Sequence, residues 1–199
     1  MASYASVEEI KASLSDSLGA GVTKYDTILS TLAIRASRYI DAIFNKPADA
    51  FLASGSSARL FNGNNQPLIH IDEIVSVETV EASFDGLAFI EFAAGTYNLM
   101  PYNLPPYWGI QTAFNNAFGY FPRGNANVRV TGIWGFSTAV PDLIKQATII
   151  QATRWWKRGQ SAYGDAFSNQ LTGGLEFVKG IDPDVKIMME SGNFSRLAL

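Results

Sequence analysis

His70 is the one imidazole in the chain, and Asp72 and Glu73 follow it closely. In an extended segment His70 and Asp72 fall on one face, the arrangement of a general base oriented by a carboxylate. That pair defines the one hydrolytic reading on offer, a small hydrolase using His70 with Asp72. No Gly-x-Ser-x-Gly nucleophile elbow accompanies it, and the plainer reading is a strand-surface histidine near a carboxylate. The remaining carboxylates point to no chemistry. Glu8 and Glu9 belong to a helix start, Glu73, Glu78 and Glu81 read as solvated strand or turn positions, and Asp182 and Asp184 bracket another helix start. None has the alternate-position spacing of a calcium loop. The chain has no cysteine, which removes disulfides, thiolate metal sites and cysteine nucleophiles; a single histidine also rules out a zinc site with several imidazoles within one chain. Gly19-Ala20-Gly21 does not continue into a dinucleotide fingerprint, Gly173-Gly174 has no strand-to-helix context, and no glycine-rich stretch carries a P-loop lysine. No catalytic, cofactor-binding or metal-binding residue is assigned, and the chain reads as a non-enzyme.

Binding chemistry is better represented. Arg154-Trp155-Trp156-Lys157-Arg158 interleaves aromatic rings with cations. Such a cluster stacks on bases; it fits equally a helix that buries one tryptophan and offers the other, with its cations, to a neighbouring protein. A net charge of -3 favours the protein contact, because phosphate neutralisation demands a basic surface. Residues Phe92 to Pro122 contain no charged side chain but hold Tyr97, Tyr102, Tyr107, Trp108, Phe114, Phe118, Tyr120 and Phe121. This run is either a long β-loop folding back onto a sheet or a contact surface, since aromatic anchors in an uncharged patch suit protein interfaces. A sugar-binding module using the same aromatics is a further reading, though no polar cluster demands it. With 47% hydrophobic and 17% charged residues among 199, the chain has material for a real core and little for a solvated surface. No signal peptide is visible at the N-terminus, and no apolar run reaches the ~18 residues of a bilayer span.

The elements that would position these groups read as helix, then strands, then helix. Ser6 and Glu9 have capping-box spacing, which starts a helix from about Val7 to Leu18 that Gly19 and Gly21 end. Ile28, Leu32, Ala36, Tyr39 (or Ile40) and Ile43 recur at helical spacing from Lys24 to Asn45, with Arg35, Arg38 and Asp41 on the polar face and Pro47 as the stop. One or two strands follow over Leu68 to Glu81, with Val75, Val77 and Thr79 alternating against Ser76, Glu78 and Val80. Asn62-Gly63-Asn64-Asn65 reads as a turn. Asp85-Gly86 signals a hairpin into Leu87 to Phe92, and Thr96 to Met100 and Asn127 to Trp134 are further strands. Helix returns at Pro141, with Asp142 at its positive end, Arg154, Lys157 and Arg158 at its negative end and Gly159 beyond. Ser161 to Gly180 is irregular, Asp182-Pro183 opens a last short helix to about Glu190, and Asn193 to Leu199 is a tail. The expected fold class is α+β: a helical bundle from residues 1–56 and 137–199, with a small antiparallel β domain inserted at 57–136.

Several motifs together resemble the head–tail connector, or adaptor, proteins of tailed phages. They are Asn127-Val-Arg-Val-Thr-Gly-Ile-Trp-Gly-Phe-Ser, Ala139-Val-Pro-Asp142, Ile144-Lys-Gln-Ala147, Ala152-Thr-Arg154 and the Asp182 to Val185 helix start, with Ala36-Ser-Arg-Tyr-Ile-Asp41 upstream. The resemblance covers roughly 24–46 and 127–190; the uncharged run 92–122 has no counterpart in the shorter members. It implies a structural virion protein of the neck, assembled in the host cytoplasm. Such a protein forms a ring, typically dodecameric, under the portal protein and offers a platform to the next neck or tail protein. The genome DNA crosses the channel without specific binding, and neither cofactor nor membrane is involved. A head-closure or tail-terminator subunit is the alternative. On this reading Phe194, Arg196, Leu197 and Leu199 of the tail bind the portal. Arg154, Trp155, Trp156, Lys157, Arg158, Tyr107 and Trp108 contribute to subunit or partner contacts.

Overall fold

A computed structural model describes residues 2–14, 22–53, 55–160, 166–168, 175–177 and 181–191. Its contacts divide the chain into two compact units, one built from residues up to Asp49 and from Val140 onward, the other from Ala50–Ala139.

The second unit is a six-stranded antiparallel sheet. Its strands are β1 (Ser56–Gly63), β2 (Leu68–Ala82), β3 (Ile90–Glu91), β4 (Tyr97–Met100), β5 (Tyr107–Thr112) and β6 (Gly124–Trp134), in the order β1-β6-β2-β5-β4, with β3 pairing β2 off that path. This corrects the expectation of a helical bundle carrying a small β insertion. The sheet is the largest element of the fold, and of the four described helices two have only 7 and 9 residues. Helical periodicity is a local signal that reads clearly, whereas β1 and β5 are made by pairing across long sequence separations. β1 runs into the Asn62–Asn65 turn and is not read as a strand, and β5 lies inside the uncharged run.

β2 carries the geometry. Its first half pairs β5 and its second half pairs β6, with register shifts between Ile74 and Ser76 and between Val77 and Thr79. Each shift changes which side chains face inward. The buried positions are therefore Ile69, Ile71, Ile74, Val80 and Ala82, and Val80, which simple alternation places with the polar set, is fully buried. Phe92, Ile110, Phe121, Val128, Val130 and Trp134 complete this core. Buried Asn127 ties the strand ends together. Its Oδ1 accepts from Gly63 N at 2.8 Å, and its Nδ2 donates to Pro122 O at 2.8 Å and Ser83 O at 3.3 Å. The Asp85-Gly86 turn is present, with Asp85 accepting from Leu87 N and Ala88 N at 2.8 and 3.0 Å, but the partner strand shrinks to Ile90–Glu91.

The first unit holds α1 (Val7–Ser13), α2 (Asp26–Ile43), α3 (Asp142–Gln160) and α4 (Pro183–Ser191), with a short ribbon of β7 (Ala166–Ser168) and β8 (Leu175–Phe177). The capping box forms as read: Glu9 N donates to Ser6 Oγ at 3.1 Å and Ser6 N donates to the Glu9 carboxylate at 2.8 Å. α1 ends at Ser13 with Leu14 as its C-cap, short of the expected Leu18; Gly19 and Gly21 lie outside the described residues, as does most of 161–180. On α2 the buried stripe is Leu29, Ala33, Ala36, Ser37, Ile40 and Asp41. The inward face is thus rotated by about one residue from the expected one, leaving Ile28 and Ile43 at 51% and 42% exposure. Small residues decide the phase: Ala33, Ala36 and Ala152 of α3 let the two helices approach, and Ile149 and Trp156 fill the seam.

Asp41 belongs to the buried side because its polar atoms are answered there. It accepts the Tyr4 hydroxyl at 2.6 Å and Asp49 N at 3.2 Å, and pairs with Arg38 Nε at 3.2 Å. Burial nevertheless pushes its carboxyl above the ordinary aspartate range, against these hydrogen bonds and the Arg38 charge.

Candidate functional site

The His70–Asp72 pair does not form. Both side chains lie on the exposed face of β2, but the Asp72 carboxylate accepts from Arg59 Nη1 at 2.7 Å. The His70 ring stacks on Trp108, with centroids 5.2 Å apart and planes within 10°. An imidazole stacked on an indole beside a carboxylate committed to arginine has no oriented base to offer. Among the described residues no group of three or more His, Asp or Glu side chains is placed to hold a metal ion, and no helix is long and apolar enough to cross a membrane.

The basic–aromatic cluster near the end of α3 is divided by burial. Trp156 is buried and meets Tyr25 edge-on at 5.1 Å; Trp155 is half-buried and tilts against Tyr39 at 5.5 Å. Arg154 reaches Asp182 at 3.2 Å. Asp182 meanwhile caps α4, accepting from Asp184 N at 3.0 Å, while its own N–H donates to Gln151 Oε1 at 3.4 Å. Arg154 is thereby occupied in seating α4 on α3. Lys157 is exposed and Arg158 half-buried. The cluster is not a free stacking platform for bases, because one indole is core and the other is backed by a tyrosine.

Between α2 and α3, on the side of Trp155, runs an open groove of ≈ 440 Å³ lined by Tyr25, Ile28, Leu32, Arg35, Trp155 and Trp156. The expected apolar positions Ile28, Leu32, Tyr39 and Ile43 are only partly covered and form a second, outer stripe on α2.

In the sheet unit, Tyr107 packs against the core and Trp108 covers His70 on the outer face. In the uncharged run 92–122 some rings fold onto the sheet and others stay at the surface. Phe92 and Phe121 are buried and stacked at 5.5 Å. Phe118 and Tyr120 stay exposed and lean on Phe84 at 4.2 and 6.4 Å, beside a hairpin that exposes Leu87 and Ile90. Phe114 is fully exposed. Phe84, Leu87 and Ile90 are surface residues that sequence reasoning missed; they lie just before the uncharged run, in a segment assigned to a hairpin. The tail residues Phe194, Arg196, Leu197 and Leu199 lie outside the described residues.

What is defined here is a two-unit fold with apolar surfaces on both units and no assembled reaction centre among its described residues. That fold recurs in known particles. A chain from the neck of an empty GTA particle, computed with C6 symmetry, shares it with a TM-score of 0.56 and 15% identity over 93% of this chain and 86% of that one. A chain from the virion of the native gene transfer agent (GTA) particle shares it with a TM-score of 0.54 and 16% identity over 93% of this chain and 87% of the other. No protein-family model and no curated protein sequence matches the chain.

Proposed function

We propose that the chain is a structural subunit of the neck of a phage-like particle, an adaptor that forms a ring beneath the portal and joins the DNA-filled head to the tail or the next neck protein. The observation that carries this is the shared fold, which extends over nearly the whole length of both this chain and a neck chain of a gene transfer agent. On this reading the chain is repeated around the neck, with a dodecamer as the expected ring. The exposed apolar surfaces on both units support a protein whose surface is covered by neighbours. The mild acidity suits a channel wall that DNA passes without being gripped. On this reading the tail at Phe194, Arg196, Leu197 and Leu199 docks on the portal, and Trp155, Lys157 and Arg158 of α3 with Trp108 of the sheet face neighbouring chains. A head-closure or tail-terminator subunit is the second reading. It draws on the same likeness and differs in binding below the portal.

The test is the particle mass of the cognate portal ring, alone and mixed with this protein. A discrete increase by a ring's worth of subunits is expected and gives the stoichiometry. An unchanged mass, with the protein shown to be folded, overturns portal docking and favours a lower position in the neck.

A further inference from the structure

The sheet path ends in β1 on one side and β4 on the other, and β1 is built unlike an edge that stays bare. Its residues from Ser56 to Phe61 pair one for one with Ile133 to Val128 of β6, and the register shifts only between Phe61 and Gly63. At the rise of a strand this is a regular edge of about 20 Å. In an antiparallel ladder every second residue turns its N–H and C=O away from the partner, so β1 presents a row of backbone donors and acceptors outward. Among the described residues, the one bond that reaches this backbone from outside the ladder is Trp134 Nε1 to Ser57 O at 2.7 Å.

Proteins guard such an edge with proline, with a bulge or with a charged side chain projecting along it. Ser56 to Phe61 has no proline and no bulge. Its one charge is drawn back over its own sheet, since Arg59 donates to Asp72 at 2.7 Å and lies 4.5 Å over the Trp134 ring. Ser56, Ser57 and Ala58 are too small to fence the backbone. All five residues from Ser56 to Leu60 are exposed, so neither face of the strand is covered. A backbone edge specifies its occupant more narrowly than an apolar face does, because only another extended segment meets donors and acceptors at strand spacing.

β4 is such a segment. It pairs β5 on one side, and among the described residues nothing bonds its other side. Tyr97, Asn98, Leu99 and Met100 carry no charge, so β4 opposes neither Arg59 nor Asp72. A ring needs two different surfaces that complement each other, and the opposite ends of one sheet are two such surfaces. We infer that the β1 edge of one copy takes the β4 edge of the next, so that one sheet runs on into another around the assembly. The inference rests on the reading of the chain as a repeated subunit and adds the surface by which it repeats. Each junction leaves one β1 and one β4 free, and the series ends when the ring closes.

The experiment follows hydrogen exchange of single amides in the full chain, alone over a concentration series and mixed with the cognate portal ring. Alternate amides of Ser56–Phe61 and of Tyr97–Met100, those turned outward in the free chain, should exchange about tenfold or more slowly in the assembled state. Unchanged rates on both strands overturn the inference. Slowing on β1 without β4 also overturns it and makes the occupant a segment of another protein. Ala58→Lys, which puts a guard charge at an exposed position of the edge, should weaken assembly by about tenfold or more, whereas Leu87→Lys, exposed on the turn after β2, should not. Equal behaviour of these two variants, both folded by circular dichroism, overturns it as well. The neck reading fails separately. A gain in portal mass with the β1 and β4 amides unchanged keeps the neck reading and removes this contact; slowed amides with no gain in portal mass do the reverse.

Discussion

Replacing Gly132 by alanine should cost the sheet unit about 3 kcal/mol. Gly132 lies in β6 opposite Val77 of β2, beside the register shift between Val77 and Thr79. A Cβ there would lie 2.1 Å from Ser76 O, 2.8 Å from Ile74 Cδ1 and 3.0 Å from Val77 Cα, against a floor of 3.0 Å for real Cβ contacts. Two of those three atoms are backbone of the paired strand, so no side-chain rotation relieves the overlap and β2 must move away from β6. Overpacking of this kind costs about 1–3 kcal/mol, and stretching one ladder hydrogen bond adds about 0.5–1.5 kcal/mol. For a domain of under a hundred residues each kcal/mol is worth roughly 4–8 °C, so the melting temperature of this unit should fall by roughly 12–24 °C. Calorimetry with near-ultraviolet circular dichroism reads it, since Trp134 of β6 is buried in the core that must open. Gly86→Ala is the control: nothing lies within 4 Å of its added carbon, but its φ is +76°, so it should lose only the backbone penalty of about 1–2 kcal/mol. A Gly132→Ala melt close to that of the parent, or a loss smaller than that of Gly86→Ala, would refute the steric reasoning.

Trp156→Ala should destabilise the helical unit by about 3–5 kcal/mol, measured by chemical denaturation, while Trp155→Ala should keep its helical circular dichroism and lose ring or portal assembly. Deleting Asn193 to Leu199 should leave the fold intact and abolish portal binding in a pull-down; retained binding would show that the tail is not the dock. Glu81 is held below the ordinary glutamate range by its hydrogen bonds from Arg129, so the stability from that pair is complete above the unfolded glutamate value and is lost as pH falls through the lowered one. Arg129→Met should flatten that acid limb in pH-dependent melts. Asp41, raised by burial, works with the opposite sign, its unfavourable term growing as pH rises through the aspartate range. Tyr4→Phe, which removes the hydroxyl that Asp41 accepts at 2.6 Å, should cost about 1–3 kcal/mol by denaturant melt.

Local signals carried furthest in the sequence. Ser6 with Glu9, Pro141 with Asp142, and Asp182 with Pro183 mark helix starts because a cap needs only residues three or four apart. The α2 stripe was legible as a period but only partly as a side: of the expected Ile28, Leu32, Ala36, Tyr39 (or Ile40) and Ile43, Ala36 and Ile40 are buried, and the approach of α3 selects the series Leu29-Ala33-Ala36-Ile40 with its small residues. β5 escaped because Tyr-Trp-Gly-Ile-Gln-Thr follows two prolines and has no clear alternation, so its partners β2 and β4 supply the evidence for it. The face of β2 escaped because bulges are set by the partner strand. Of the surfaces, the tryptophan pair and the uncharged aromatic run were visible as composition; which ring is core and which is presented depends on burial. Trp156 and Phe121 went inward, and Trp155 and Phe114 did not.

The first and last strands of the sheet unit are antiparallel neighbours, and the segments leading into and out of them are pinned by Phe136 N to Ala50 O at 2.9 Å and Ala53 N to Ser137 O at 2.8 Å. Tension applied at residues 49 and 140 therefore meets these bonds one at a time, from the junction inward, as a zipper meets its teeth. A sheet gripped in that way peels at low force, whereas one whose end strands are drawn past each other in shear must break a whole row at once. Single-molecule stretching from those two points should show a low first rupture beginning with the β1–β6 ladder.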